Sequence, residues 1–307
     1  MKILVTGGAG FIGSHLCEKL LELEHSLSVI DNLSTGNLKN LGSCINELEF
    51  FESNIENFDL ESLKDIDCVV HLAAQTSVPL SIQDFKTSST SNLTSSIKII
   101  DYSCKNNIPL IFASSAAVYG NLKNCDDSIK EYELLSPYAA DKFFMEQYAN
   151  LCYSLYGLSN IGLRFFNVYG PRQDPHSSYS GVISIFCDKL ITGNNITIYG
   201  GEQTRDFIYV EDAVTSILNA IKLSKNSKIC ERINVLTGDS TSINSIANIL
   251  FELTNSTAKK IYKDLLDGDP IGSPGTTAQM QDLLDIRIKN MIKIREGLSK
   301  TIQSLKR

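Results

Sequence analysis

Tyr138 and Lys142 stand four residues apart in Pro137-Tyr138-Ala139-Ala140-Asp141-Lys142. At the start of a helix that spacing is one turn, so both side chains face the same way. A free tyrosine has a pKa of about 10 and is a poor base at neutral pH. A neighbouring ammonium favours tyrosinate and lowers that value. The pair is therefore suited to moving a proton. Ser114 and Ser115 follow the apolar run Leu110–Ala113, where a serine hydroxyl could bond the reacting oxygen. A second constellation sits at the other end: Gly7-Gly8-Ala9-Gly10-Phe11-Ile12-Gly13, after the run Lys2–Thr6. Gly7 permits a tight turn, Gly10 lets backbone N–H groups approach a pyrophosphate, and Gly13 lets a helix pack close to the strand. The anion then lies at a positive helix N-terminus. Asp31 follows Gly13 by eighteen residues. A carboxylate there accepts from a ribose 2′-hydroxyl and repels a 2′-phosphate, which selects NAD over NADP. The positive nicotinamide ring adds to the pull on the Tyr138 proton.

Elements must hold these groups. Apolar runs of four to six residues recur at Ile3–Val5, Leu27–Ile30, Leu48–Phe51, Cys68–Leu72, Leu110–Ala113 and Ile161–Phe165. They lack polar alternation, as strands buried on both faces do. Between them run amphipathic stretches, such as 12–23 with apolar residues at 12, 16, 20, 21 and 23. The pattern predicts a doubly wound parallel α/β sheet of the Rossmann type. After Phe166, Gly-Pro, Asp-Pro and Gly-Gly steps predict loops over 167–206, with one helix at 182–192. A strand at 207–210 and helices at 211–223 and 242–253, with Ser242 as cap, follow. Residues 264–278 read as loop and the last 25 as amphipathic helix. The expected division is a nucleotide-binding domain over 1–166, with a returning segment near 207–235. A smaller α+β domain takes 167–206 and 236–307.

The chain has 307 residues and a net charge of −7, enough to bury a large core without staples. Its mild acidity argues against a broad nucleic-acid or anionic-membrane surface. No apolar stretch approaches the length of a membrane span. Cys17, Cys44, Cys68, Cys104, Cys125, Cys152, Cys187 and Cys230 form no C-x-x-C and no zinc spacing. Free, mostly buried thiols, no metal site and a cytoplasmic location are expected. His71, at a buried strand end, reads as a packing residue. Arg164 and Arg172 suit either phosphate or a structural pair.

Taken together, these blocks resemble the extended short-chain dehydrogenase/reductases, within them the nucleotide-sugar 4-epimerases of the UDP-glucose/UDP-N-acetylglucosamine type. The similarity runs through 6–16 (TGGAGFIGSHL), 31–37 (DNLSTGN), 71–81 (HLAAQTSVPLS), 114–120 (SSAAVYG), 138–142 (YAADK), 164–175 (RFFNVYGPRQDP), 179–186 (YSGVISIF) and 201–213 (GEQTRDFIYVEDA). The resemblance implies a redox-neutral epimerisation with bound NAD. Tyr138 would take the C4-hydroxyl proton, Ser115 would share that hydrogen bond, and Lys142 would hold the nicotinamide ribose. Besides the glycine loop, it implies a cofactor lining of Asn32, Ser34, Thr35, Gly36, Asn54, Ile55, Leu72, Ala73, Ala74, Gln75, Asn92, Ala113 and Phe165. Ser77, Asn167, Val182, Tyr199 (near uracil), Arg205 (diphosphate) and Ser273 would meet a UDP-sugar. A homodimer built on helices near 88–106 and 138–156 is also implied.

Two neighbouring chemistries fit less well. Family dehydratases carry an Asp-Glu pair after the Ser/Thr, and decarboxylases a Glu at the position of Ala117; here Ala116-Ala117 follow Ser115. A non-catalytic NAD-binding scaffold would not need Ser115, Tyr138 and Lys142 together. The residue gating the sugar C2 substituent aligns with Ser273, whose small size implies that N-acetyl groups fit. Departures gather in the substrate half: Leu266 stands in place of an arginine, and Gly275-Thr276 replace Ala-Asp.

Overall fold

The computed structural model describes the whole chain except residues 129, 178–179, 266–270, 273 and 307, and the side chain of Ser43. Leu266 and Ser273 thus lie outside the described residues. The first half lays down strands Lys2–Thr6 (β1), Ser26–Asp31 (β2), Glu49–Glu52 (β3), Cys68–His71 (β4), Leu110–Ser115 (β5) and Asn160–Phe165 (β6). Helices Phe11–Glu22 (α1), Val78–Gln83 (α2), Phe85–Ser89 (α3), Ser95–Asn106 (α4) and Pro137–Tyr156 (α5) separate them. Asn167–Tyr169 (β7), Val182–Ile191 (α6), Ile196–Tyr199 (β8), Thr204–Tyr209 (β9), Val210–Asn226 (α7) and Cys230–Val235 (β10) follow. The chain closes with Ser240–Ser242 (β11), Ile243–Thr254 (α8), Lys260–Lys263 (β12), Ala278–Leu284 (α9) and Ile294–Leu305 (α10).

Seven strands form one parallel sheet in the order β10-β6-β5-β4-β1-β2-β3. The alternation of side chains divides the core between its two faces. Ile3 and Val5 of β1 join α1 and α7 residues such as Leu16, Leu20 and Ile217 on one face. Leu4 joins Ile99 and Ile100 of α4 and Met145 and Ala149 of α5 on the other. Both faces are covered, so the strands carry apolar runs rather than alternating polarity. The strand order reverses between β1 and β4, and the crevice at such a point, at the C-terminal strand ends, is where ligands bind in open α/β sheets.

Beyond Phe166, two short sheets appear, β11-β9-β7 and β12-β8. The loop reading of 167–206 missed β7 and β8, because strands of three and four residues show no period. The tail is also less helical than expected. Asp285 adopts a left-handed conformation at the end of α9, and Ile286 and Met291 turn into the core before α10 starts. Helices α6, α8 and α10 pack on one another. All eight cysteines are free; Cys17, Cys68, Cys125 and Cys187 are buried and the other four only partly so, fewer buried than expected. Among the described residues no helix is long and apolar enough to cross a membrane.

Candidate active site

The carboxyl ends of the parallel strands gather the residues expected to hold the cofactor and move the proton. After β1, Gly7 turns with φ +73° while its N–H donates to Ile30 O at 2.8 Å. A Cβ on Gly7 would lie 2.7 Å from the Ala73 backbone nitrogen, so the loop after β4 touches the glycine loop backbone to backbone. A Cβ on Gly13 would collide with Gly7 O, which is why α1 can approach β1 this closely. Gly10 caps α1 with no side-chain bond, and no acidic residue lies in the first turn. Its N–H groups and dipole are left open for an anion.

Asp31 is buried at the end of β2. Its Oδ2 accepts from Ala9 N at 2.9 Å and its Oδ1 from Leu33 N at 2.8 Å, leaving a lone pair on each oxygen for a ribose. Gly36 lies against this carboxylate. Asn32 donates to Asn54 Oδ1 at 2.7 Å and accepts from Ser34 N, with Thr35 exposed and Ile55 buried nearby in sequence. Leu72 N donates to Thr6 O. Asn92, in a π-helical turn at Thr90–Thr94, accepts from Gln75 N at 2.7 Å and donates to Gln75 O at 3.0 Å and Asp141 Oδ2 at 3.3 Å. Its polar atoms are thus occupied within the protein. Gln75 Oε1 is buried with no partner, as a polar atom meant for a ligand would be. An open helix N-terminus, a cradle a Cβ would fill, a ribose-competent carboxylate and an orphan acceptor together fit a dinucleotide.

The proton-moving group forms where β5 ends and α5 starts. Ser136 caps α5 by accepting from Ala139 N, Pro137 occupies the first turn, and Tyr138 N donates to Ser81 Oγ on α2 at 3.2 Å. Tyr138 is 8% exposed. Ser115 Oγ accepts from Ala117 N at 3.1 Å and lies beside the Tyr138 phenol. Because the Ala117 N–H occupies a lone pair, the Ser115 proton is left for Tyr138 or a substrate oxygen. Lys142 donates to Ala113 O at 2.7 Å, 5.8 Å from the Tyr138 ring centre. Burial pushes the Lys142 ammonium down to about 8, against Asp141 and Glu146. Burial also holds the Tyr138 phenol above its ordinary value; the neighbouring Ser115 hydroxyl opposes this and Asp141 adds to it. The outcome is the reverse of the lowering argued from the Lys142 neighbour, because desolvation dominates.

Behind this group, Arg164 makes a two-pronged pair with Glu146 at 2.9 and 2.7 Å and donates to Tyr119 at 2.7 Å. Ser114 donates to Glu146 Oε1 at 2.5 Å. Arg164 is thus structural, and Arg172 pairs with Glu18 at 2.7 Å.

Beside the strand ends opens a cavity of about 450 Å³. Asn167, Val182, Tyr199 and Arg205 line it, with Phe166 directly after Phe165 and Thr76 directly after Gln75. Asn167 donates to Asp206 O at 3.0 Å, and Arg205 to Thr204 O at 2.7 Å. The N-terminus of α6 faces in through Gly181, which caps it without a side-chain bond. Ser77 instead caps α2, accepting from Leu80 N at 3.0 Å. Gln173 was not anticipated. It lines the cavity, and its Oε1 is buried without a partner. An isolated glutamine carries no spacing signal; only burial exposes it as a candidate.

The chain matches the model of the NAD dependent epimerase/dehydratase family over residues 3–235. It is 39% identical over 275 residues to a candidate UDP-glucose 4-epimerase of Methanocaldococcus jannaschii, covering 87% of each chain. The crystal structure of the Thermotoga maritima UDP-glucose 4-epimerase with UDP-glucose is 34% identical, with a TM-score of 0.92 over 100% of this chain and 99% of that one. The UDP-N-acetylglucosamine 4-epimerase of Methanobrevibacter ruminantium, in complex with UDP-N-acetylmuramic acid, is 36% identical with a TM-score of 0.91 over 99% and 97%. The chain therefore belongs to the NAD-dependent epimerase/dehydratase family, and its cofactor is NAD.

Proposed function

We propose that this protein is a UDP-hexose 4-epimerase, interconverting UDP-glucose with UDP-galactose and UDP-N-acetylglucosamine with UDP-N-acetylgalactosamine through a 4-keto sugar. The observation that carries the reading is the Ser115–Tyr138–Lys142 group beside a cavity suited to a nucleoside diphosphate. Tyr138 takes the proton from the C4 hydroxyl, and Ser115 donates to the same oxygen. Lys142, fixed by Ala113 O, reaches the nicotinamide ribose. When bound, NAD⁺ supplies a hydride acceptor and a positive ring that favours tyrosinate. Arg205 and the open N-terminus of α6 offer donors to the diphosphate, and Tyr199 a face to uracil. The keto sugar turns within the cavity before reduction from the other side.

Ala116 and Ala117 carry no acid or base, which favours epimerisation over dehydration or decarboxylation. The N-acetyl reading rests on the small side chain aligned at Ser273. We also read the exposed apolar face of α4 and α5 as a homodimer contact.

The test is product analysis after separate incubation with UDP-glucose and UDP-N-acetylglucosamine. A reversible mixture with the galacto epimer, without net NAD turnover, is expected. Tyr138→Phe is expected to lose about a thousandfold in turnover while keeping its NAD. Irreversible product, or epimerisation retained in the variant, would refute the assignment.

A further inference from the structure

The end of β4 carries a side chain that the proposed chemistry leaves unused. His71 is buried with both ring nitrogens engaged: Nδ1 lies 2.7 Å from Thr6 Oγ1, and Nε2 3.1 Å from Ser96 Oγ. The neighbouring groups orient every proton in this chain. Asn92 O is a carbonyl and only accepts, so the Ser96 hydroxyl, 2.6 Å away, donates to it. With that proton engaged, Ser96 Oγ accepts from the imidazole, and Nε2 carries the hydrogen. Burial, aided by the charge of Lys142, pushes the ring down to about 3 and keeps it neutral. Nδ1 is then bare and accepts from the Thr6 hydroxyl. Thr6 Oγ1 in turn accepts from Ala73 N at 3.3 Å.

The chain runs on at both ends. Thr6 immediately precedes Gly7, and Ala73 forms the wall against which Gly7 packs. On the other side, Asn92 holds both backbone groups of Gln75 and reaches Asp141, the residue before Lys142. The helix widens into its π turn just where Ser95 and Ser96 bond back to Ser91 O and Asn92 O.

We propose that His71 is a positioning residue. As the neutral Nε2–H tautomer it ties the end of β1, the cofactor-side loop 72–75 and the π turn at Asn92 into one hydrogen-bonded unit, and through Asp141 sets the helix bearing Tyr138 and Lys142. This rests on reading that pair as the reacting group. A packing role would need only the volume of the ring. A positioning role needs both nitrogens, each in its own protonation state.

The experiment has two arms, both on the NAD-loaded protein. Long-range ¹⁵N–¹H NMR of the four histidines, with His71 assigned from its variant, should show a protonated Nε2 and a bare Nδ1 at neutral pH. The second arm compares His71→Leu, His71→Gln and His71→Asn for NAD retained on gel filtration and for steady-state kinetics. Leucine keeps volume and loses both bonds. It should release NAD and lower kcat about tenfold or more, with KM for the UDP-sugar little changed. Glutamine, whose amide nitrogen reaches the place of Nε2 and keeps the link to Ser96 and Asn92, should recover more turnover than asparagine. An Nδ1–H tautomer, or a leucine variant with wild-type NAD retention and kcat, overturns the proposal. The NMR and NAD-retention measurements involve no sugar, so they decide the proposal even where epimerisation is not found.

Discussion

At Lys142, desolvation and charge act in opposite directions, and the balance is testable. Its ammonium titrates near 8 in the folded protein against an ordinary 10.5, chiefly through burial. Between these values the unfolded chain binds more protons than the native one, so the contribution of Lys142 to stability rises as pH climbs through that window and is least favourable below it. Lys142→Met removes the buried charge. Its stability gain over the wild type should be largest at neutral pH, at most about 3 kcal/mol, and should shrink by pH of about 10. Urea unfolding of both proteins at the two pH values checks this. A gain that grows with pH would contradict the sign. Tyr138 makes the same point differently. Its phenol is held up by burial, so the protein alone does not make it a base. In the proposed reaction the charge of bound NAD⁺ would complete the work that sequence spacing assigns to Lys142.

At the level of the element, α5 is anchored along its first three turns by the sheet and by the π turn at Asn92. Asp141 is held by Asn92, Lys142 by Ala113 O, and Glu146 by Ser114 and Arg164. Arg164 pairs with Ser114 across β5 and β6, and its guanidinium also lies over the Tyr119 and Tyr132 rings. Glu146 and Arg164 are each 1% exposed. Removing one charge of such a pair leaves the other buried and uncompensated, so Glu146→Gln should cost about 3–5 kcal/mol. The midpoint of urea unfolding measures it; a loss below about 1 kcal/mol would mean that the pair is dispensable. Gly275 shows how an element contact explains a sequence departure. It bridges to Cys125, and a Cβ there would come within 2.7 Å of Leu236 Cδ1 and Phe166 Cζ. The alanine of the resembling family would press on the wall of the cavity. Thr276 meets Asp127, which also accepts from Asn234 N.

Over the whole molecule, the helices on one side of the sheet turn large apolar groups outward. Phe144, Tyr148, Leu151 and Leu155 follow a 4-3-4 spacing along α5 and remain exposed, Leu151 at 50% and Leu155 at 61%. Ile97 on α4 and Phe85 on α3 are exposed too. A row of large apolar groups at helical spacing is the kind of surface that a second helix pair covers. The proposed homodimer should elute at twice the chain mass in light scattering, and Leu151→Glu should shift it to monomer with an unchanged fold by circular dichroism. A wild type that is monomeric at all concentrations would remove this reading.

The candidate chemistry-bearing residues and six of the seven strands of the parallel sheet could be read from the sequence because each rests on local pattern. A glycine triplet after a strand, a Tyr and Lys one turn apart, and six unalternating apolar runs need only neighbours in the chain to be recognised. The boundaries of those six strands came within one or two residues for the same reason, since burial on both faces writes itself into continuous hydrophobic runs. What tertiary structure alone decided lies between distant segments. The π turn brings Asn92 to Gln75 and Asp141; the pairing of β1 with β4 sets Thr6 against His71; burial decides between the two readings of Arg164, making it the partner of Glu146. Desolvation, which reversed the shift expected for Tyr138, depends on everything packed around a group. No spacing along the sequence encodes it.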